Sequence, residues 1–284
     1  MKGLVAYFKL ARVENAILPM FALVAGFTIT KAADYTRLAL AALVLILVHS
    51  VLTIWNDIAD EAGDTHNNIT RMSDLRNSGD YDVLRLFIGG SVCIIILALI
   101  FLPNTSKLLV SMSLLLGWAY NVPPIHGSHR PVLSIVLLGL AYGTIPFLLG
   151  ASLGHIGLTT FYLAVGWTLG RSSLSLLKDY KDATGDAVAK KRTFLLVYGG
   201  TLTAKLSFSL ALLGYAISAI IVVTQVQHTL TTILLLGGVA AWLLYERTRL
   251  FKAKHYNSLD QIFHDCLKYQ LVFDGLVILC LRTL

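Results

Sequence analysis

Charge is scarce in this chain. Lysine, arginine, aspartate and glutamate make up 14% of its 284 residues, where a soluble domain carries about 25%. Cysteine is scarcer still. Cys93, Cys266 and Cys280 are scattered and form no CxxC pair, which argues against a disulfide framework and a cysteine-based zinc site. Strict apolar–polar alternation is also missing, so a membrane barrel does not fit and helices remain. The opening MKGLVAYFKLARVE lacks an apolar core followed by small residues. It is therefore expected not to be a cleaved leader, and the first apolar span is expected to act as a signal anchor.

What fills the space is apolar sequence. Hydrophobic residues reach 56% and mean hydropathy is +0.72. Runs of roughly 17–25 residues recur, each long enough to cross a bilayer core as a helix. Nine candidate spans lie near 12–30, 37–55, 83–103, 107–122, 132–153, 157–177, 202–224, 230–247 and 267–284. The expected fold class is all-α, a polytopic membrane protein with nine transmembrane helices. Placing the N-terminus in the cytoplasm puts 19 of the 23 Lys and Arg residues on cytoplasmic segments and their flanks, as the positive-inside rule requires. The formal net charge of +7 then reflects topology and anionic lipid, and calls for no nucleic-acid partner.

The few acidic residues are concentrated. NDIADEAGD, residues 56–64, places four acids in nine positions directly after an apolar run. A second stretch, KDYKDATGDAVAKKRT, covers 178–193. Asp57, Asp60, Gly63 and Asp64 fall on Asp179, Asp182, Gly185 and Asp186 at a constant offset of 122 residues. Each motif ends an even-numbered span, which suggests an internal duplication, roughly 1–130 and 131–250 plus a ninth helix. On a helix, positions 56, 57, 60 and 64 occupy an arc of about 100°, as do 178, 179, 182 and 186. Gly63 and Gly185 are expected to mark where those helices stop.

Carboxylates crowded on one face repel unless a cation lies between them. Mg²⁺ binds through one or two carboxylates plus substrate phosphates, so two facing clusters suit a metal–diphosphate complex. The competing readings are a solvated acidic loop, which would not need the duplicated spacing, and structural Ca²⁺, for which the EF-hand pattern is lacking.

These residues carry a resemblance. NDIADEAGD resembles the NDxxDxxxD motif of the UbiA superfamily of intramembrane prenyltransferases, and KDYKDATGD with KKRT resembles that family's second acidic motif. WAYNVPPIHGSHRP, 118–131, is similar to its YSxPP stretch, and LARVENAILP to its RPxN entry. The resemblance implies nine helices around a central cavity that opens laterally to lipid, with cytoplasmic acidic caps. It also implies Mg²⁺-dependent transfer of a polyprenyl group from its diphosphate to an acceptor such as an aromatic quinone precursor or a related lipid, with release of pyrophosphate.

By the same resemblance Asn56, Asp60, Asp64, Asp182 and Asp186 are catalytic metal-binding positions, with Asp57 and Asp179 as second-rank ligands. Arg71, Lys178, Lys190, Lys191, Arg192 and Tyr120 are candidates for the diphosphate, and Arg12 and Asn15 for the acceptor or diphosphate. Surface charge and interfacial anchoring are the plainer alternatives for the basic residues and Tyr120.

The chain departs from the family pattern at THNNITRMSDLR, which lacks an RP pair near Arg71 and Arg76, and at Glu14, which replaces a proline. Phe147, Tyr162, Trp167 and Tyr245 are either cavity or packing aromatics. His49 and Asp274 lie inside spans, and Pro146 is expected to kink the fifth. Three other activities share parts of this pattern: a terpene cyclase without an acceptor, a phosphoribosyl-diphosphate-dependent transferase acting on a polyprenyl phosphate, and a cation transporter. The transporter needs its carboxylates near the bilayer midplane, whereas these end their spans.

Overall fold

The computed structural model describes residues 10–61, 72, 81–225, 229–249 and 256–282. Asp64 and Arg71 lie outside that set, as do Gly63 and Arg76. Among the described residues every regular element is helical. A 3₁₀ turn at Val13–Ala16 leads into α1 (Ile17–Ile29), followed by α2 (Tyr35–Ala59), α3 (Tyr81–Phe101) and α4 (Asn104–Asn121). Then come α5 (Pro131–Ala151), α6 (Leu158–Val188), a short helix at Phe194–Tyr198, α7 (Gly200–Gln225), α8 (Thr229–Thr248) and α9 (Tyr256–Arg282).

Local chemistry explains several starts. Asp34 caps α2 by accepting the Arg37 N–H at 2.9 Å, Pro131 opens α5, and Thr193 caps the short helix by accepting the Leu196 N–H at 3.4 Å. Each satisfies or avoids one of the free N–H groups at a helix start.

Tyr35–Ala59, Asp82–Phe101, Pro131–Ala151 and Gly200–Gln225 are long and apolar enough to cross a bilayer. Large apolar side chains also face outward. Ile96, Leu97, Ile100 and Phe101 on α3, Leu108 on α4 and Leu234 on α8 are all more than half exposed. An apolar surface of that extent suits lipid and not water. Inside, one buried cluster around Leu23, Val44, Ile95 and Leu109 joins α1 to α5. A second, around Leu163, Trp167, Tyr215 and Phe273, joins α1 and α5 to α6–α9. Phe147 and Trp167 pack together there, ring centroids 5.8 Å apart, while Tyr162 and Tyr245 face outward.

Two features bring backbones unusually close. Gly26 of α1 and Gly150 of α5 face each other's helices. A Cβ on Gly26 would lie 1.9 Å from the Phe147 carbonyl oxygen, and one on Gly150 would lie 1.8 Å from that of Leu23. In lipid, where apolar burial drives little helix association, such contact between small residues supplies the packing. α5 contains a π turn, Leu140–Thr144, just before Pro146. A proline ring clashes with the carbonyl four residues earlier, here Tyr142, and the wider turn relieves that clash. Gly139 and Gly143 then let the turn lie against Thr168 and Ser172 of α6.

Of the two glycines expected to stop helices, Gly63 lies outside the described residues, α2 ending at Ala59, whereas Gly185 is buried inside α6, which continues to Val188. The residue that ends α6 is Lys190, with φ +54°. The Lys190 N–H meets the Ala187 carbonyl at 3.2 Å and the Lys191 N–H meets that of Asp186 at 2.9 Å, the left-handed closure that usually employs glycine.

The glycine seam gives a direct test. Gly150→Ala should lower the melting temperature in detergent, because the new methyl meets backbone that cannot rotate away. Overpacking of this kind costs about 1–3 kcal/mol. Gly237→Ala, where nothing lies within 4 Å, should leave melting unchanged or raise it slightly. Equal melting of the two variants would dismiss the seam as a packing constraint.

Candidate active site

A cavity of about 480 Å³ lies between α1, α2, α4, α5, α6 and α9. Helical periodicity builds its walls. On α2 the bordering residues are Leu45, Val48, His49, Leu52, Thr53, Asn56 and Asp60, a stripe of three- and four-residue steps that turns from apolar to polar towards the helix end. On α6 the stripe is Arg171, Leu174, Ser175, Lys178, Lys181, Asp182 and Asp186. Both acidic motifs therefore face one cavity although 122 residues separate them.

Lysines join the motifs. Lys191 Nζ lies 2.6 Å from Asp60 Oδ2 and 3.3 Å from Asp186 Oδ1, bridging the end of α2 to the end of α6. The Lys190 turn sets this reach by folding the chain back over the last turn of α6. Lys178 Nζ pairs with Asp182 Oδ2 at 2.9 Å. Asn56 donates from Nδ2 to Asp60 Oδ2 at 2.9 Å and to Asn121 Oδ1 at 3.1 Å, tying α2 to α4. Asn121 in turn donates to the Gly117 carbonyl at 2.9 Å. Sequence reasoning did not single out Asn121, although it directly follows Tyr120, which also borders the cavity.

Electrostatics at these last turns, beyond the apolar stretch of α6, follow the pairing. Asp182 holds the Lys178 ammonium well above the usual lysine pKa, and burial opposes it only in part. Burial alone would raise Asp182, but Lys178, joined by Lys181 and Lys191, outweighs it and keeps the carboxyl below its ordinary value. Burial raises Asp186, and Lys191 offsets only part of that. Burial works against the Lys191 charge too, yet Asp60 and Asp186 hold its pKa above the ordinary lysine value. Asp179 is pushed up to about 7 by burial, partly offset by Lys178.

The remaining candidates divide. Arg12 and Asn15 border the cavity, and Arg12 is ion-paired to the buried Asp57. Arg12 has φ +42°, so this contact, like that of Lys191, depends on a left-handed backbone position. Asp57, Asp179, Lys190 and Arg192 do not border the cavity, and Lys190 and Arg192 are exposed. His49 borders the cavity with its ring edge-on to Tyr142, centroids 5.6 Å apart. Asp274 is buried and accepts from Arg171 Nη2 at 2.6 Å and from Gln270 Nε2 at 3.0 Å.

The donor chemistry fits a hard divalent cation. Asn56, Asp60, Asp182 and Asp186 offer oxygen ligands, and ammonium groups stand against the three carboxylates where a cation would. Among the described residues, which do not include Asp64, no three His, Cys, Asp or Glu side chains converge into a metal cluster.

Comparison with known proteins identifies the family and the fold. The model of the UbiA prenyltransferase family matches residues 16–272. The bacteriochlorophyll synthase 33 kDa chain of Rhodobacter capsulatus is 26% identical over 157 residues, a match that spans 52% of each chain, so it covers about half the length of that relative. Among solved structures, a digeranylgeranylglyceryl phosphate synthase superposes with TM-score 0.72 at 16% identity, covering all of both chains. A UbiA homologue from Archaeoglobus fulgidus bound to DMAPP and Mg²⁺ superposes with TM-score 0.74 at 14% identity, covering 98% of this chain and 99% of that one. The apo UbiA homologue of Aeropyrum pernix K1 gives 0.74 at 12%, covering 94% and 96%. At such identities the structures speak for the fold, a UbiA-like membrane fold, and the family model for descent: the chain belongs to the UbiA prenyltransferase family.

Proposed function

We propose that this chain transfers a polyprenyl group from a polyprenyl diphosphate to an acceptor, an aromatic quinone precursor or a related lipid, with Mg²⁺ as cofactor. One observation carries the reading: two acidic helix ends, 122 residues apart, border the same cavity with lysines between them. In the step, the bond between C1 of the prenyl chain and the diphosphate oxygen breaks, and its electron pair leaves with pyrophosphate. A nucleophilic atom of the acceptor bonds to C1 and gives up one proton.

Asn56, Asp60, Asp182 and Asp186 would hold Mg²⁺, together with Asp64; the bound ion supplies positive charge to the leaving diphosphate. Lys178, Lys191 and Tyr120 would meet diphosphate oxygens and so stabilise charge where it develops. Arg71 is retained as a further candidate on the sequence motif, and Lys190 and Arg192 as outer charges. Leu45, Val48, Leu52, Leu116, Leu137 and Leu138 border the cavity, accommodate the prenyl tail and keep water from an allylic cation.

The same reading places α1 to α9 across the cell membrane, with the N-terminus and both acidic motifs cytoplasmic. The basic-residue asymmetry supports that orientation. Residues 1–130 and 131–250 are read as two copies of a four-helix unit. The starts of α2 at 35 and α6 at 158, close to the 122-residue offset, support it.

Two outcomes follow. Asp60→Ala and Asp182→Ala, purified in lipid, should lose pyrophosphate release from geranylgeranyl diphosphate while keeping the wild-type melting profile. Wild-type turnover in either would refute the metal assignment. Pyrophosphate release by the wild type should also require both Mg²⁺ and an aromatic or lipid acceptor. Release without an acceptor, accompanied by cyclic hydrocarbon, would identify a cyclase instead, and turnover of phosphoribosyl diphosphate with a polyprenyl phosphate would identify the phosphoribosyl transferase.

A further inference from the structure

The cavity has a second polar wall, away from the acidic motifs. Arg171 of α6 borders it at only 3% exposure. Its Nη2 pairs with Asp274 at 2.6 Å and reaches the Leu18 carbonyl at 3.2 Å, and its guanidinium lies 5.1 Å from the Trp167 ring centre. Its other two nitrogens, Nε and Nη1, have no protein hydrogen-bond partner. The second oxygen of Asp274 accepts from Gln270, whose own Oε1 accepts from Tyr215 at 2.5 Å. The other arginines with an unpartnered nitrogen differ. Arg12 is partly exposed, and Arg247, which also has one, does not border the cavity.

An unpaired donor costs about 1–3 kcal/mol when buried, and a charged side chain inside a membrane helix is retained for a function by default. We propose that Arg171 binds a carbonyl or carboxylate oxygen of the acceptor substrate. The inference rests on the transferase reading and deepens it. A prenyl tail offers no oxygen, and the diphosphate belongs with Lys178 and Lys191. Arg171 lies seven residues before Lys178, two helical turns deeper and on nearly the same face, about 10 Å along the axis. Leu18, Leu174 and Leu267 flank this part of the cavity, so the rest of the acceptor that lies here is apolar. An oxygen so far from the reacting centre belongs to an extended acceptor, with fused rings or a lipid body, and not to a single small ring. Because Asp274 balances the arginine charge, the subsite suits a neutral carbonyl as well as a carboxylate.

The test uses the full chain in lipid nanodiscs with labelled geranylgeranyl diphosphate, Mg²⁺ and three probe acceptors: a hydroxybenzoate, a dihydroxynaphthoate and a bacteriochlorophyllide. Arg171→Gln is compared with the paired Arg171→Met/Asp274→Leu variant. The pair removes both buried charges together, a replacement that is often neutral for folding. The wild type should prefer the larger probes. In both variants the KM of the preferred acceptor should rise about tenfold, the loss of one hydrogen bond. Affinity for the unreactive geranylgeranyl thiolodiphosphate should stay within about twofold. An unchanged acceptor KM in the folded double variant, or a donor affinity that falls as much as the KM rises, overturns the assignment. Preference of the wild type for the hydroxybenzoate overturns the extended acceptor. Failure of the wild type to prenylate any probe or any component of a total lipid extract removes the transferase reading itself, and is distinguished by appearing without any substitution.

Discussion

Carboxylates at the ends of two apolar helices cannot share a cavity without a cation, and much of this structure follows from that constraint. Lys191 meets it by touching Asp60 and Asp186 at once. To do so it must follow a helix end that reverses sharply, which Lys190 provides at a backbone angle normally left to glycine. Asn56 fixes the other side of the arrangement by linking Asp60 to Asn121. The pairing thus relates the ends of α2, α4 and α6 without any one helix having to bend into the site.

A second constraint is that the other ionic groups packed between helices must also be matched. Arg12 takes Asp57 and Arg171 takes Asp274, both across large sequence separations. These contacts cost desolvation, and a buried pair is weak evidence of net stability. Their clearer effect is positional. Arg12 connects the turn before α1 to α2, and the Arg171–Asp274–Gln270–Tyr215 chain registers α6 against α9 and α7.

The sequence was most informative where a local rule sufficed. Apolar run length locates the helices, and helical spacing places Asn56 and Asp60 on one face and Lys178, Asp182 and Asp186 on another, because both depend only on the chain's own periodicity. Gly185 shows the limit of such rules: it looks like a helix stop, but tertiary contact buries it and the helix runs on. The partner of Arg12, the role of Asn121 and the pairing of Arg171 were not legible, since each depends on the rotation of one helix about its axis relative to another. Phe147 illustrates the same point, as its direction is set by the packing of α5 on α6 and not by its place in an apolar run.

The contact between Gly26 and Gly150 also bears on how the chain can vary over time. Outward leucines and isoleucines on α3 and α4 can be exchanged among themselves, since any apolar side chain satisfies lipid. The α1–α5 crossing has no such freedom, because even one added methyl group meets a carbonyl oxygen below 2 Å. Drift should therefore run fast on the lipid-facing shell and almost stop at two glycines far from any chemistry. The slowest-changing positions of this protein would then include two that touch no substrate.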